Sequence, residues 1–397
     1  MSEGPPRPSF AAHAAEIFLR GLVGERPSLP LAYDALARLA HERLLQDDPR
    51  AADYVLGGAG REDTIRANEG AFSRWRIVPR VLRDVTARDL RTTVLETELP
   101  APVALAPVGV QTVVHPEGEA ATARAAAAVG LPLAVSTVSS AILEDVAAAS
   151  GAAKWFQLYM PADPELAASL VARAERAGYR AIMITVDTVL PGWRTRELQL
   201  GWQPFLHGVG IANYTSDPVF RARLARPPEE DPRAAVAEFS ALFTNPGMTW
   251  GDIELVRSWT ALPLAVKGIV HPDDAREARE RGADGVVVSN HGGRQLDGAI
   301  ATLDALPAIV DAVGDRLDVL LDGGVRSGTD VLKALALGAR TVLLGRPWVW
   351  GLALGGEQGV AAVLRAVLGE LDISLGLSGH TTPAQLHPGV LVRDAHA

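Results

Sequence analysis

The sequence contains no cysteine. That absence excludes disulfides, thiol nucleophiles, cysteine-ligated metals and iron–sulfur clusters from any account of what the chain does. It has no basic excess either: 38 Lys and Arg against 47 Asp and Glu leave a net charge of −9, which speaks against a nucleic-acid or other polyanionic partner. No apolar run reaches the ~18 residues that a membrane-spanning helix needs. The polar, proline-rich start, Met1 to Ser9, lacks the charged opening and apolar stretch of a secretory leader. These features predict a soluble, cytoplasmic protein with no membrane association. Familiar catalytic motifs are missing too: there is no Gly-x-Gly-x-x-Gly after a first strand, no Walker motif, no His-Glu-x-x-His and no serine-based triad. His271-Pro272-Asp273-Asp274 and His115-Pro116-Glu117-Gly118-Glu119 read better as helix starts than as metal ligands, so no metal is expected.

What is present is a core-forming chain, 48% hydrophobic over 397 residues, long enough for one large domain or two ordinary ones. From about residue 100 it alternates between strand and helix. Strand-like runs fall at 102–107, 131–137, 154–159, 181–187, 262–268, 286–290, 319–322 and 341–345. Helical runs fall between them at 117–129, 143–149, 164–177, 273–281, 303–313 and 329–337, with a last helix at 360–371. Eight such units predict an α/β fold, a (β/α)8 TIM barrel over residues 96–380. Residues 1–95 read as a helical segment interrupted by the glycine-rich Asp53–Gly60, and 381–397 as a tail. The stretch 188–249, after the fourth strand, is long for a strand-to-helix connection and reads as a lid with a mobile middle.

The polar residues gather where strands end: Gln157 and Tyr159, Thr185 and Asp187, Lys267, Ser289 and His291, Asp322, Arg346. A barrel interior wants branched apolar side chains, whereas its catalytic rim wants residues of this kind. The densest cluster is Ser289-Asn290-His291-Gly292-Gly293-Arg294-Gln295. It offers a potential base and a potential anion clamp, with glycines that let a ligand approach the backbone. Trp348 and Trp350 are expected in the core or at subunit contacts.

Taken in order, Ala106-Pro107-Val108-Gly109, Gln157-Leu158-Tyr159, Thr185-Val186-Asp187, Val266-Lys267-Gly268, Ser289–Gln295, Asp322-Gly323-Gly324-Val325-Arg326 and Gly345-Arg346-Pro347 resemble the motifs of the FMN-dependent 2-hydroxy acid oxidising family. That family includes glycolate oxidase, lactate oxidase, mandelate dehydrogenase and lactate 2-monooxygenase. The resemblance runs from about Asp53 to Ser378. Ser136-Thr137-Val138, Gly192-Trp193-Arg194 and the long lid are most similar to the lactate 2-monooxygenase branch.

The resemblance implies the following roles. His291 takes the hydroxyl proton, supported by Asp187; Arg294 grips the carboxylate with its planar fork. Tyr54 reaches the carboxylate, Tyr159 the reacting oxygen, and Arg196 the anion or the lid. FMN is the cofactor. Lys267 faces N1 and O2 of its ring, and Ala106, Pro107, Val108 and Gly109 pass beside N5. Ser136, Gln157, Thr185 and Ser289 meet the polar edge. Asp322 takes ribityl hydroxyls, while Gly323, Gly324, Arg326, Gly345 and Arg346 bind the phosphate. The implied reaction is oxidation of a small (S)-2-hydroxy acid by O2, with L-lactate converted to acetate, CO2 and water. An oxidase releasing keto acid and H2O2 is the alternative, and the bare residues also leave a non-redox phosphate-binding isomerase or lyase open. A homotetramer or homo-octamer is implied. Two departures stand out: Val138 replaces an aromatic residue of the glycolate oxidases, and Gly109 an alanine of many oxidases.

Overall fold

The computed structural model describes residues 9–394. The opening Met1–Pro8 and the last three residues of the expected tail lie outside the described residues. The centre is a closed, all-parallel barrel of eight strands, Val103–Leu105, Leu133–Ser136, Lys154–Tyr159, Ala181–Thr185, Leu264–Ile269, Gly285–Val288, Asp318–Leu321 and Thr341–Leu344, each beside its neighbour in sequence. The expected (β/α)8 barrel is therefore the fold, and the expected run at 154–159 matches its strand at both ends.

Alternate residues along each strand part into two layers. Ala104, Ala134, Trp155, Ala181, Met183, Ala265, Val287, Leu320 and Leu343 fill the inside. Val103, Leu105, Leu133, Val135, Phe156, Leu158, Ile182 and Ile184 pack outward with the helices. Small alanines facing a few large side chains let the interior close without voids. An antiparallel hairpin, Thr92–Val94 with Thr97–Leu99, joins this inner cluster through Val94, Leu95 and Leu99. It is tied in by Trp155 Nε1 donating to Thr97 Oγ1 at 3.1 Å and by Leu95 N donating to Asp318 Oδ2 at 2.7 Å. The boundary expected near residue 95 thus cuts a hairpin whose apolar side chains belong to the barrel interior. The tail also departs from the expectation, because Leu391–Arg393 pairs antiparallel with Trp75–Ile77 of the N-terminal segment.

That N-terminal segment carries helices at Ala12–Gly21, Tyr33–Asp47, Pro49–Leu56 and Asp63–Ser73. The third helix starts where Asp48 Oδ1 accepts from Arg50 N and proline occupies the first turn, a start that leaves no donor stranded. It ends at Gly57, which delivers Tyr54 to the barrel rim.

Two expectations on the rest of the chain are corrected. The last helix is Arg346–Leu377, far longer than 360–371, with its break at Gly355 and Gly356. Those two glycines conceal the helical beat of residues 346–354. The middle of the lid is a packed layer, not a loose one. Helices Ala212–Thr215, Pro218–Ala222 and Pro232–Phe243 bury Tyr214, Phe220 and Phe239 to 1% exposure or less. Burial of a ring contributes roughly 2–3 kcal/mol, and the buried Arg173 pairs with Asp217 at 3.1 Å beneath them. Trp348 and Trp350 are both buried in the core. Among the described residues no helix is long and apolar enough to cross a membrane.

Candidate active site

A cavity opens at the C-terminal ends of the strands, where barrels place their chemistry. Its wall includes Tyr54, Ala106–Val110, Val138, Tyr159, Arg194, Phe205, Phe243, Lys267, His291, Arg294, Asp322–Arg326, Gly345 and Arg346.

His291 stands in the turn after Gly285–Val288. Its φ is +57°, and Gly292 and Gly293 follow at +62° and +79°. A left-handed histidine is uncommon, and such strain gathers at functional sites. The turn holds because Asn290 Oδ1 accepts from Gly293 N at 3.2 Å and Asn290 exchanges side-chain hydrogen bonds with Asn68, both at 2.8 Å. His291 Nδ1 lies 2.9 Å from Asp187 Oδ1, and Nε2 lies 3.5 Å from the Tyr159 hydroxyl. Burial pulls the imidazole below its ordinary 6.5, only partly opposed by Asp187. Burial alone would push the Asp187 carboxyl up, but the charges of His291 and Lys267 outweigh it and hold it low. A neutral ring held by a carboxylate at one nitrogen, with the other directed at the cavity, is the arrangement of a general base.

Asp187 needs room. Gly268 sits at a register shift of its strand with φ +114°, and a Cβ there would lie 2.8 Å from Asp187 Cβ. Only glycine meets both demands.

Arg294 donates from Nη1 to the carbonyls of Tyr54 (2.6 Å) and Gly57 (2.8 Å), and from Nη2 to Glu197 Oε1 at 3.0 Å. Its guanidinium lies 5.0 Å above the Tyr54 ring. It thus caps the C-terminal end of helix Pro49–Leu56, where carbonyls lack partners and the helix dipole favours a cation. Tyr54 is fixed in place by the same contact. Burial and desolvation raise the hydroxyls of Tyr54 and Tyr159, so both stay protonated donors.

Lys267 Nζ donates to Ser289 Oγ at 2.9 Å and pairs with Asp322 Oδ2 at 3.2 Å. Burial would lower it, but Asp322 and Asp187 raise it, so it stays a buried cation. Ser136 Oγ donates to Gln157 Oε1 and Gln157 Nε2 to Thr185 Oγ1, each at 3.0 Å. These three and Ser289 are buried at the same barrel end but are not part of the cavity wall.

The far end of the cavity carries Asp322, Gly323, Gly324, Arg326 and Arg346. Asp322 Oδ1 and Arg346 Nε are buried there without a hydrogen-bond partner. Burial, then the charges of Arg326 and Arg294, pull Arg346 down to about 9. Buried polar atoms are normally satisfied. A free acceptor and a free guanidinium N–H on one cavity wall, with Arg326 near the latter, fit a ligand with hydroxyls and a phosphate, as FMN has.

Arg196 is not part of this cavity. It pairs with Glu62 at 2.8 Å and Asp53 at 3.8 Å, because helix Thr195–Leu200 turns it toward the N-terminal segment. The wall residue is Arg194, which donates from Nε to Arg294 O at 3.2 Å and from Nη2 to Gln295 Oε1 at 3.0 Å. Sequence reasoning also missed Glu197, Phe205 and Phe243. The spacing of Arg194 and Glu197, three apart across a helix start, is the signal that could have found the first pair. A Cβ on Gly109 would lie 2.5 Å from Val138 O and 2.7 Å from Val138 Cγ2, so the two departures noted above are one packing solution. The expected helix starts at His115 and His271 are present, His271 Nδ1 accepting from Asp273 N at 3.2 Å.

Residues 42–393 match the family model described as FMN-dependent dehydrogenase. An FMN-dependent alpha-hydroxy acid dehydrogenase of Schizosaccharomyces pombe is 43% identical over 96% of both chains. An L-lactate oxidase of Lysinibacillus sphaericus is 42% identical, with 96% of this chain and 97% of the relative aligned. Among solved structures, a mandelate oxidase crystal structure superposes with a TM-score of 0.81 at 39% identity, covering 92% of this chain and 98% of that one.

Proposed function

The chain belongs to the FMN-dependent dehydrogenase family, and from that premise we propose that it oxidises a small (S)-2-hydroxy acid, L-lactate first, and holds the keto acid while H2O2, formed from O2 with the two electrons taken from the substrate, decarboxylates it to acetate, CO2 and water. The observation that carries the oxidation is the Asp187–His291 pair, 2.9 Å apart, on the same cavity wall as Arg294. What FMN supplies when bound is an acceptor for the α-hydrogen and its electron pair.

The chain's own residues do the rest. Arg294, with Tyr54 against it, grips the carboxylate. Tyr159 and His291 meet the hydroxyl, and His291 Nε2 takes its proton. Asp187 stabilises the imidazolium that results. Lys267 would hold positive charge toward the bound cofactor's ring, Ala106–Gly109 would line it, and Ser136, Gln157, Thr185 and Ser289 would back its polar edge. Asp322 takes hydroxyls of the linker; Arg326, Arg346 and the backbone N–H groups of Gly323 and Gly324 take the phosphate.

Leu190, Pro191, Phe205 and Phe243 belong to the same cavity wall. An apolar wall of this kind favours exclusion of water and slow escape of the product, which supports the monooxygenase reading. The relatives named L-lactate oxidase favour the second reading, release of pyruvate followed by H2O2. One measurement separates them: product analysis after aerobic turnover on L-lactate. Acetate and CO2 in step with lactate consumed, without peroxide, is the expected result. Pyruvate with stoichiometric H2O2 overturns the monooxygenase part, and failure of lactate to bleach the bound flavin anaerobically overturns lactate as substrate.

A further inference from the structure

Glu197 has no part in the roles above, although it is the carboxylate paired with Arg294, the proposed carboxylate clamp, and with the neighbouring wall residue Arg194. It lies one turn after Arg194 and is buried at 8% exposure. Its Oε1 is 3.0 Å from Arg294 Nη2 and its Oε2 is 3.6 Å from Arg194 Nη1. Both guanidiniums belong to the cavity wall, whereas Glu197 does not. The carboxylate therefore joins two cations from outside the space that the acid would occupy. The other contacts of the two arginines are to neutral acceptors: the Tyr54, Gly57 and Arg294 carbonyls and the Gln295 side chain. Burial, then the charge of Arg194, disfavours the Arg294 cation, and Glu197 opposes that.

We propose that Glu197 determines substrate charge class: by cancelling one of two guanidiniums it leaves the Arg194–Arg294 pair with one net positive charge, matched to a monocarboxylate. A second carboxylate on the substrate side chain would then face no uncompensated cation, and its desolvation would go unmatched. This rests on the 2-hydroxy acid reading above. Glu197 acts through Arg194 and Arg294, so it is a positioning and specificity residue, not a catalytic one.

The test is anaerobic reduction of the FMN-loaded protein by L-lactate and by L-malate, a mono- and a dicarboxylate of the same class. For Glu197→Gln the malate-to-lactate ratio of reduction efficiencies rises roughly tenfold, while Glu197→Asp keeps the wild-type ratio. A purely structural role lowers both efficiencies together and leaves the ratio unchanged; that result overturns the proposal. Calorimetric binding of malonate against propionate gives a readout independent of turnover and shifts the same way. Should Glu197→Gln fail to fold, Arg194→Gln tests the same charge count in the opposite sense, and its ratio must fall. Wild-type flavin that no 2-hydroxy acid bleaches overturns the underlying reading and this inference with it. Bleaching with an unmoved ratio overturns the inference alone.

Discussion

Arg294 and Arg346, at the two ends of the cavity, are compensated differently. At the acid-binding end, His291 meets Asp187, and Arg294 and Arg194 share Glu197. At the far end, Arg346 donates only to the neutral carbonyls of Gly292 and Gly57, keeps a buried Nε without an acceptor and is crowded by the charge of Arg326. A site emptied at every turnover must be comfortable when empty, so its arginines share a carboxylate of the protein. A site that holds its ligand throughout can leave the compensation to that ligand. The difference supports the proposed division into a substrate end and a cofactor end.

Three experiments break or sharpen that contrast. The largest effect is expected at the substrate end. His291→Ala should keep its yellow colour yet lose flavin reduction by L-lactate on the order of a thousandfold, the scale of a lost general base. Stopped-flow bleaching at the wild-type rate would dismiss the histidine as base. At the cofactor end, Arg346→Met should weaken FMN affinity on the order of a hundredfold, as expected for a lost charge-assisted contact. Fluorescence titration of the apoprotein measures this, and unchanged affinity would remove the contrast. The smallest effect is in pH. Because the base works as neutral imidazole and burial pulls it below 6.5, reduction efficiency should be flat at neutral pH and fall only as acid protonates it. Asp187→Asn removes the charge that raises His291. The acid limb should therefore move to lower pH while the plateau drops, and a limb moving upward would contradict the pairing.

Much of the barrel and the rim was legible because both are local. Lys154–Tyr159 is a run whose apolar residues alternate between two layers, and the Ser289–Gln295 turn carries its base, clamp and glycines within a few residues. What was not legible depends on distant contacts. Arg196 and Arg194 differ by two positions, and only the start of helix Thr195–Leu200 decides which one meets the cavity. The lid looked loose because its polar, proline-rich connections hide Tyr214, Phe220 and Phe239, which find one another only in three dimensions. The Gly355–Gly356 break masked a continuous helical beat. Gly109 looked like a lost methyl until Val138 O appeared 2.5 Å from where that methyl would stand.

The carbonyl of Gly57 accepts from Arg294 at 2.8 Å and from Arg346 at 3.2 Å. One backbone oxygen, contributed by a helix that precedes the barrel, is therefore the keystone between the two ends of the cavity. A truncated version starting beyond it would be no miniature of this protein: it would lose one anchor of each guanidinium at a single cut. Engineers seeking a smaller scaffold should trim elsewhere.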